Sequence, residues 1–112
     1  MTSEHQIQCH VSKKLKQLGI LHHSDQNGSL RGKSAGAKAK MAGMCAGWPD
    51  MTIVNDEEMI LVEFKRMGGE LSNAQKIVHG KLLENNILVH TVYALDEEDA
   101  WKQVAAIMGR LS

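Results

Sequence analysis

The chain has 112 residues, 43% hydrophobic and 23% charged, with 13 basic side chains balancing 13 acidic ones. That length suits a single domain spanning 1–112 with a real core, near the size at which a partner subunit often helps. No apolar run approaches the roughly 18 residues of a membrane span and the N-terminal stretch has no signal-like apolar segment, so the expected protein is cytoplasmic and free of membrane.

Charge is unevenly distributed. Through Ala46 seven basic residues meet two acidic ones, whereas from Gly47 onward six basic residues meet eleven acidic ones. Such halves fit a basic surface facing phosphates and a carboxylate-rich second part. Aromatic residues are scarce and Met is frequent, which predicts an aliphatic core. Cys9 and Cys45 lack Cys or His partners at zinc-site spacing and read as reduced thiols.

Ser3-Glu4-His5-Gln6 has capping-box spacing, and Ile7, Val11, Leu15 and Leu18 follow on one stripe. The pattern predicts a helix from about Glu4 to Leu18 stopped by Gly19. Glu4 shares the buried side of its first turn, where a carboxylate suits the helix dipole or could serve a site. Ile20-Leu21-His22-His23 reads as a short strand whose two histidines point to opposite faces and cannot readily chelate one ion together.

A polar loop from Ser24 to Lys33 follows, and then a short Ala-rich helix from Ser34 to near Gly43. Arg31, Lys33, Lys38 and Lys40 give this region a diffuse cationic surface, which is either simply solvated or suited to a nucleic-acid backbone. Pro49 fits the first residue of a strand and fixes the backbone leading into Asp50.

Met51 to Val54 and Met59 to Lys65 flank the polar break Asn55-Asp56-Glu57-Glu58, the pattern of an antiparallel hairpin. If Val54 faces Met59, the same register sets Asp50 opposite Glu63, and strand alternation returns Lys65 to the face of Glu63. Opposed like charges destabilise a sheet, so two carboxylates gathered beside an ammonium call for an offsetting partner. Hard divalent cations are the usual one, and a lysine there suits a developing negative charge.

After a loop with Gly68 and Gly69, Ser72-Asn73-Ala74-Gln75 forms a second capping box. It opens a helix carrying Ala74, Ile77, Val78 and Leu82 inward and ending at Asn85-Asn86. Gln75 has a sufficient role in the cap and sits close enough to the Glu63 strand for a second one. Ile87 to Tyr93 reads as a strand buried on both faces, parallel to the strand carrying Glu63. Asp96 caps a last helix packed through Ala100, Val104, Ile107 and Met108.

Gly47-Trp48-Pro49-Asp50, Glu63-Phe64-Lys65 and Leu71-Ser72-Asn73-Ala74-Gln75 together resemble a VRR-NUC domain, the virus-type replication and repair nuclease of the PD-(D/E)XK superfamily. The resemblance runs from Glu4 to the last helix. It implies an α/β (α+β) fold with a restriction-endonuclease-like core, a mixed four-stranded sheet in αβββαβ order flanked by helices.

It also implies a metal-dependent, structure-specific DNA endonuclease similar to homodimeric Holliday-junction resolvases, of phage or bacterial origin. Asp50 and Glu63 would be ligands of Mg²⁺ or Mn²⁺ together with the backbone carbonyl of Phe64. Lys65 would act at the attacking water or the phosphate, Gln75 would support the site, and Glu4 matches the family's N-terminal acidic residue, which can reach the metal. Arg31, Lys33, Lys38 and Lys40 would hold DNA, branched or junction DNA above all, through its phosphates. Two competing readings are a catalytically inactive nucleic-acid-binding module of the same fold and a structural charge cluster in a small dimeric interaction protein.

Overall fold

The computed structural model describes residues 2–25, 43 and 45–110. Helix α1 (Glu4–Gln17) is followed by strands β1 (His22–Ser24), β2 (Met51–Asn55) and β3 (Glu58–Arg66), helix α2 (Asn73–Glu84), strand β4 (Val89–Ala94) and helix α3 (Glu97–Ile107). The Ala-rich helix expected from Ser34 lies outside the described residues, as do Arg31, Lys33, Lys38 and Lys40.

One mixed sheet has the order β1-β2-β3-β4, with β1 and β3 antiparallel to β2 and β4 parallel to β3. The hairpin has the expected register, Val54 opposite Met59 and Asn55 opposite Glu58, closed by Asp56 and Glu57. Asp56 takes a φ of 53°, a left-handed conformation that short acidic and amide side chains tolerate better than most.

Both capping boxes form: Ser3 and Gln6 exchange hydrogen bonds at the start of α1, and Ser72 and Gln75 do so at α2. Gly19, at φ 71°, follows the C-cap Leu18 and ends α1. Asp96 accepts the Asp99 N–H and caps α3.

The main core lies on one side of the sheet. There Met51, Ile53, Ile60, Val62, Phe64, Val92 and Ala94 meet Ile7, Val11 and Leu15 of α1 and Ala100, Val104 and Met108 at α3. A smaller cluster on the opposite side packs Leu61 against Val78 and Leu82 of α2, with Val89 beside it.

The strand expected over Ile87–Tyr93 differs. It runs Val89–Ala94 at the sheet's edge, and Ile87 and Leu88 lie outside it, exposed. The Ile87 N–H is taken by the Leu82 carbonyl, so Ile87 completes the end of α2, with Asn86 left-handed at φ 63°. An apolar run fits a doubly buried strand and an edge strand after a helix cap equally well, and periodicity does not separate them.

Ile77 and Leu18 are also exposed, because α2 and α1 each turn a narrower stripe inward than their sequences allow. The first strand begins two residues later than expected, at His22, and Pro49 precedes β2 by two residues instead of starting it. Cys9 and Cys45 are both free and exposed. Among the described residues no helix is long and apolar enough to cross a membrane.

Candidate active site

Strand β3 runs between the two cores, and its alternation turns Ile60, Val62 and Phe64 to the main core and Leu61, Glu63 and Lys65 toward α2. Glu63 is 1% exposed and Lys65 8%, the buried charged residues among those described.

Asp50 stands one residue before β2, where the hairpin register continued by a step sets it against Glu63. Its Oδ2 accepts the Phe64 N–H at 2.8 Å. Its backbone carbonyl accepts the Asp25 N–H at 2.8 Å and Gln8 Nε2 at 3.3 Å, so β1 and α1 both hold it.

The loop before Asp50 is pressed against α2. Gly47 has a φ of 87°, and a Cβ there would stand 2.5 Å from the Ala74 carbonyl carbon and oxygen. Glycine alone permits this approach, which brings the start of β2 and the first turn of α2 into register with β3.

From α2, Gln75 Nε2 donates to Glu63 Oε2 at 3.3 Å, and His79 Nε2 lies 3.2 Å from Glu63 Oε1. Gln75 serves the cap and the site together, since its Oε1 takes the Ser72 N–H at 2.8 Å while its Nε2 faces Glu63. At the other end Lys65 Nζ lies 3.9 Å from Glu4 Oε1, so the first turn of α1 closes the group.

Burial, first, and then the hydrogen bond to and charge of Asp50 push the Glu63 carboxyl up to about 9, against the lowering pull of Lys65 and with a smaller repulsion from Glu4. The fold therefore favours the protonated form of Glu63 relative to an ordinary carboxyl. Burial, chiefly, lowers the affinity of His79 for a proton and Lys65 adds to this, while Asp50 opposes it. His79 meets Glu63 as a neutral hydrogen-bond partner, not as a full ion pair.

Two adjacent carboxyl groups, one of them buried, are a donor set suited to a hard divalent ion. Among the described residues no three His, Cys, Asp or Glu side chains are grouped to hold a metal by themselves. Further oxygens would have to come from backbone, water or phosphate, which is how Mg²⁺ is commonly held, on one or two carboxylates.

The structure thus gathers Asp50, Glu63, Lys65, Gln75 and Glu4. Phe64 lies between Glu63 and Lys65 with its side chain in the opposite core. The sequence reading missed His79 and Gln8. His79 stands four residues past Gln75 and Gln8 four past Glu4, so each shares the helical face of a residue already singled out, and that spacing is the signal that could have found them.

The VRR-NUC domain family model matches residues 3–95. A solved structure described as a VRR_NUC domain protein superposes with a TM-score of 0.71 at 17% identity, covering 99% of this chain and 92% of that one, a likeness of fold. No curated protein matches the sequence. The matched stretch runs from the N-cap of α1 through β4 and contains every residue of the cluster, and the chain belongs to the VRR-NUC domain family, a nuclease family of the PD-(D/E)XK type.

Proposed function

We propose that the protein is a divalent-cation-dependent, structure-specific DNA endonuclease that hydrolyses phosphodiester bonds and works as a homodimer in the manner of Holliday-junction resolvases, in a phage or bacterial cytoplasm. The observation that carries this reading is the buried Glu63 carboxyl, opposite Asp50 by the continued hairpin register, with Lys65 on the same face of β3. Asp50 and Glu63 would hold Mg²⁺ or Mn²⁺, with the Phe64 carbonyl and Glu4 as further donors. The cation would polarise the scissile phosphodiester and ease deprotonation of the attacking water.

The chain's own groups have separable tasks. Lys65, drawn toward Glu4, supplies a positive charge where the pentavalent phosphate accumulates negative charge. Gln75 fixes the carboxyl of Glu63. Phe64 N–H fixes Asp50, and burial of the cluster strengthens each of these electrostatic contacts. Arg31, Lys33, Lys38 and Lys40 would bind DNA through phosphates, which predicts steep salt dependence and little base preference.

A panel of four-way junctions, flaps, nicked and plain duplexes tests the proposal with Mg²⁺ and with Mn²⁺. Branched substrates should be cut in preference, and Asp50→Ala or Lys65→Ala should lower the rate by at least about 10²-fold while the circular dichroism spectrum is retained. Undiminished cutting by either variant refutes these roles. Salt-sensitive binding without cleavage under any divalent ion would identify an inactive binding module instead.

A further inference from the structure

Both oxygens of the buried Glu63 carboxyl are engaged by α2, Oε2 by Gln75 and Oε1 by His79. The two partners are four residues apart, so one helical turn sets their spacing and puts them on one face. Gln75 cannot reverse its amide, because Oε1 is committed to the Ser72 N–H. That leaves its Nε2 for Glu63 and leaves Oε1 of Glu63 to another donor. His79, 13% exposed at its side chain, reaches that oxygen and has no part in the helix cap.

We propose that His79 is a positioning residue for the divalent-cation site: its Nε2–H holds Glu63 Oε1 while Gln75 holds Oε2, fixing the plane of the carboxyl group that adjoins Asp50. The proposal rests on Asp50 and Glu63 being the cation's ligands. The last torsion of a glutamate is broad and nearly twofold, so an unclamped carboxylate must be ordered when the ion binds. Two donors set one turn apart do that ordering in advance. Partners of this kind behind a metal ligand typically change metal affinity about 10- to 100-fold.

A histidine that merely fills space between α2 and β3 would affect folding and leave ion affinity alone. Mn²⁺ titrated into the whole protein without DNA, followed by the electron paramagnetic resonance of the free ion, separates the two. Wild type is compared with His79→Leu and His79→Phe, which keep bulk without a donor, and with His79→Gln, which keeps a side-chain N–H. Thermal melting of each metal-free variant reports its fold.

The donor-free variants should bind Mn²⁺ about 10- to 100-fold more weakly, and His79→Gln should recover most of the loss. In DNA cleavage the donor-free variants should need more Mn²⁺ for half-maximal rate yet approach the wild-type rate at saturation. Wild-type affinity in whichever donor-free variant melts cooperatively overturns the proposal, and so does a His79→Gln variant as weak as it. A wild-type protein that binds no Mn²⁺ would instead overturn the assignment of Asp50 and Glu63, and the role of His79 with it.

Discussion

On the side of the sheet covered by α1 and α3, strand β3 presents Ile60, Val62 and Phe64 to an entirely apolar core. On the side covered by α2, the alternate residues of the same strand are Leu61, Glu63 and Lys65, where the apolar contact ends and a buried polar cluster begins. A strand's period of two lets one segment provide the rigid core and the candidate site together, because packing that immobilises Phe64 also immobilises its neighbours on the other face. The difference is energetic as well. The first face is stabilised by burying hydrocarbon, while the second keeps two carboxyls in contact under low polarity, which costs stability whenever both are ionised.

The largest expected effect comes from that cost, in protein stripped of divalent ions. Glu63 is held at about 9 in the fold against an ordinary value of 4.5, so its contribution to stability is complete below about 4.5 and is lost as pH rises toward about 9. In EDTA, Tm should fall by more than about 10 °C across that window, since each kcal/mol corresponds to about 4–8 °C in a domain of this size. Glu63→Gln should flatten the profile. Mg²⁺ should restore stability at the alkaline end, because a bound cation replaces the proton. An equally steep decline in Glu63→Gln would show that another group is responsible.

The opposite face sharpens the comparison. Phe64→Ala empties a fully buried position next to both site residues and should cost about 3–5 kcal/mol in urea denaturation, independent of pH and of divalent ions. A loss below about 1 kcal/mol would mean that the main core can collapse around the gap.

A smaller effect is expected where the loop before β2 touches α2. Gly47→Ala forces a side chain onto a φ of 87° and against backbone atoms at 2.5 Å, and the backbone conformation alone should cost about 1–3 kcal/mol. Because Gly47 sets Asp50 relative to Gln75, Mn²⁺ binding should weaken along with stability. Unchanged denaturation and binding would show that the loop is not what aligns the two halves of the site.

Much of this was legible in the sequence for local reasons. The two capping boxes are short-range patterns, the hairpin register follows from a two-residue turn, and alternation along β3 puts Glu63 and Lys65 on one face whatever surrounds them. Asp50, Glu63, Lys65, Gln75 and Glu4 were all identifiable from these patterns and the family resemblance. Ile87 and Leu88 read as part of a buried strand and are exposed in the structure, because an apolar run does not state how many neighbours it will have. His79 and Gln8 were missed because a polar residue on a helix gains meaning only from what the helix packs against.

The hairpin that carries the candidate site shows the division. The sequence by itself determined that Asp50, Glu63 and Lys65 would stand near the same end of two paired strands, because register and side-chain alternation are properties of the hairpin alone. Only the tertiary structure decided that Glu63 is buried, that Asp50 is anchored by Phe64, Asp25 and Gln8, and that His79 and Gln75 grip the two oxygens of one carboxyl. Burial and hydrogen bonding of this kind require α1, α2 and β1 to converge on one point across long separations in the chain, a condition set by the packing of the whole sheet.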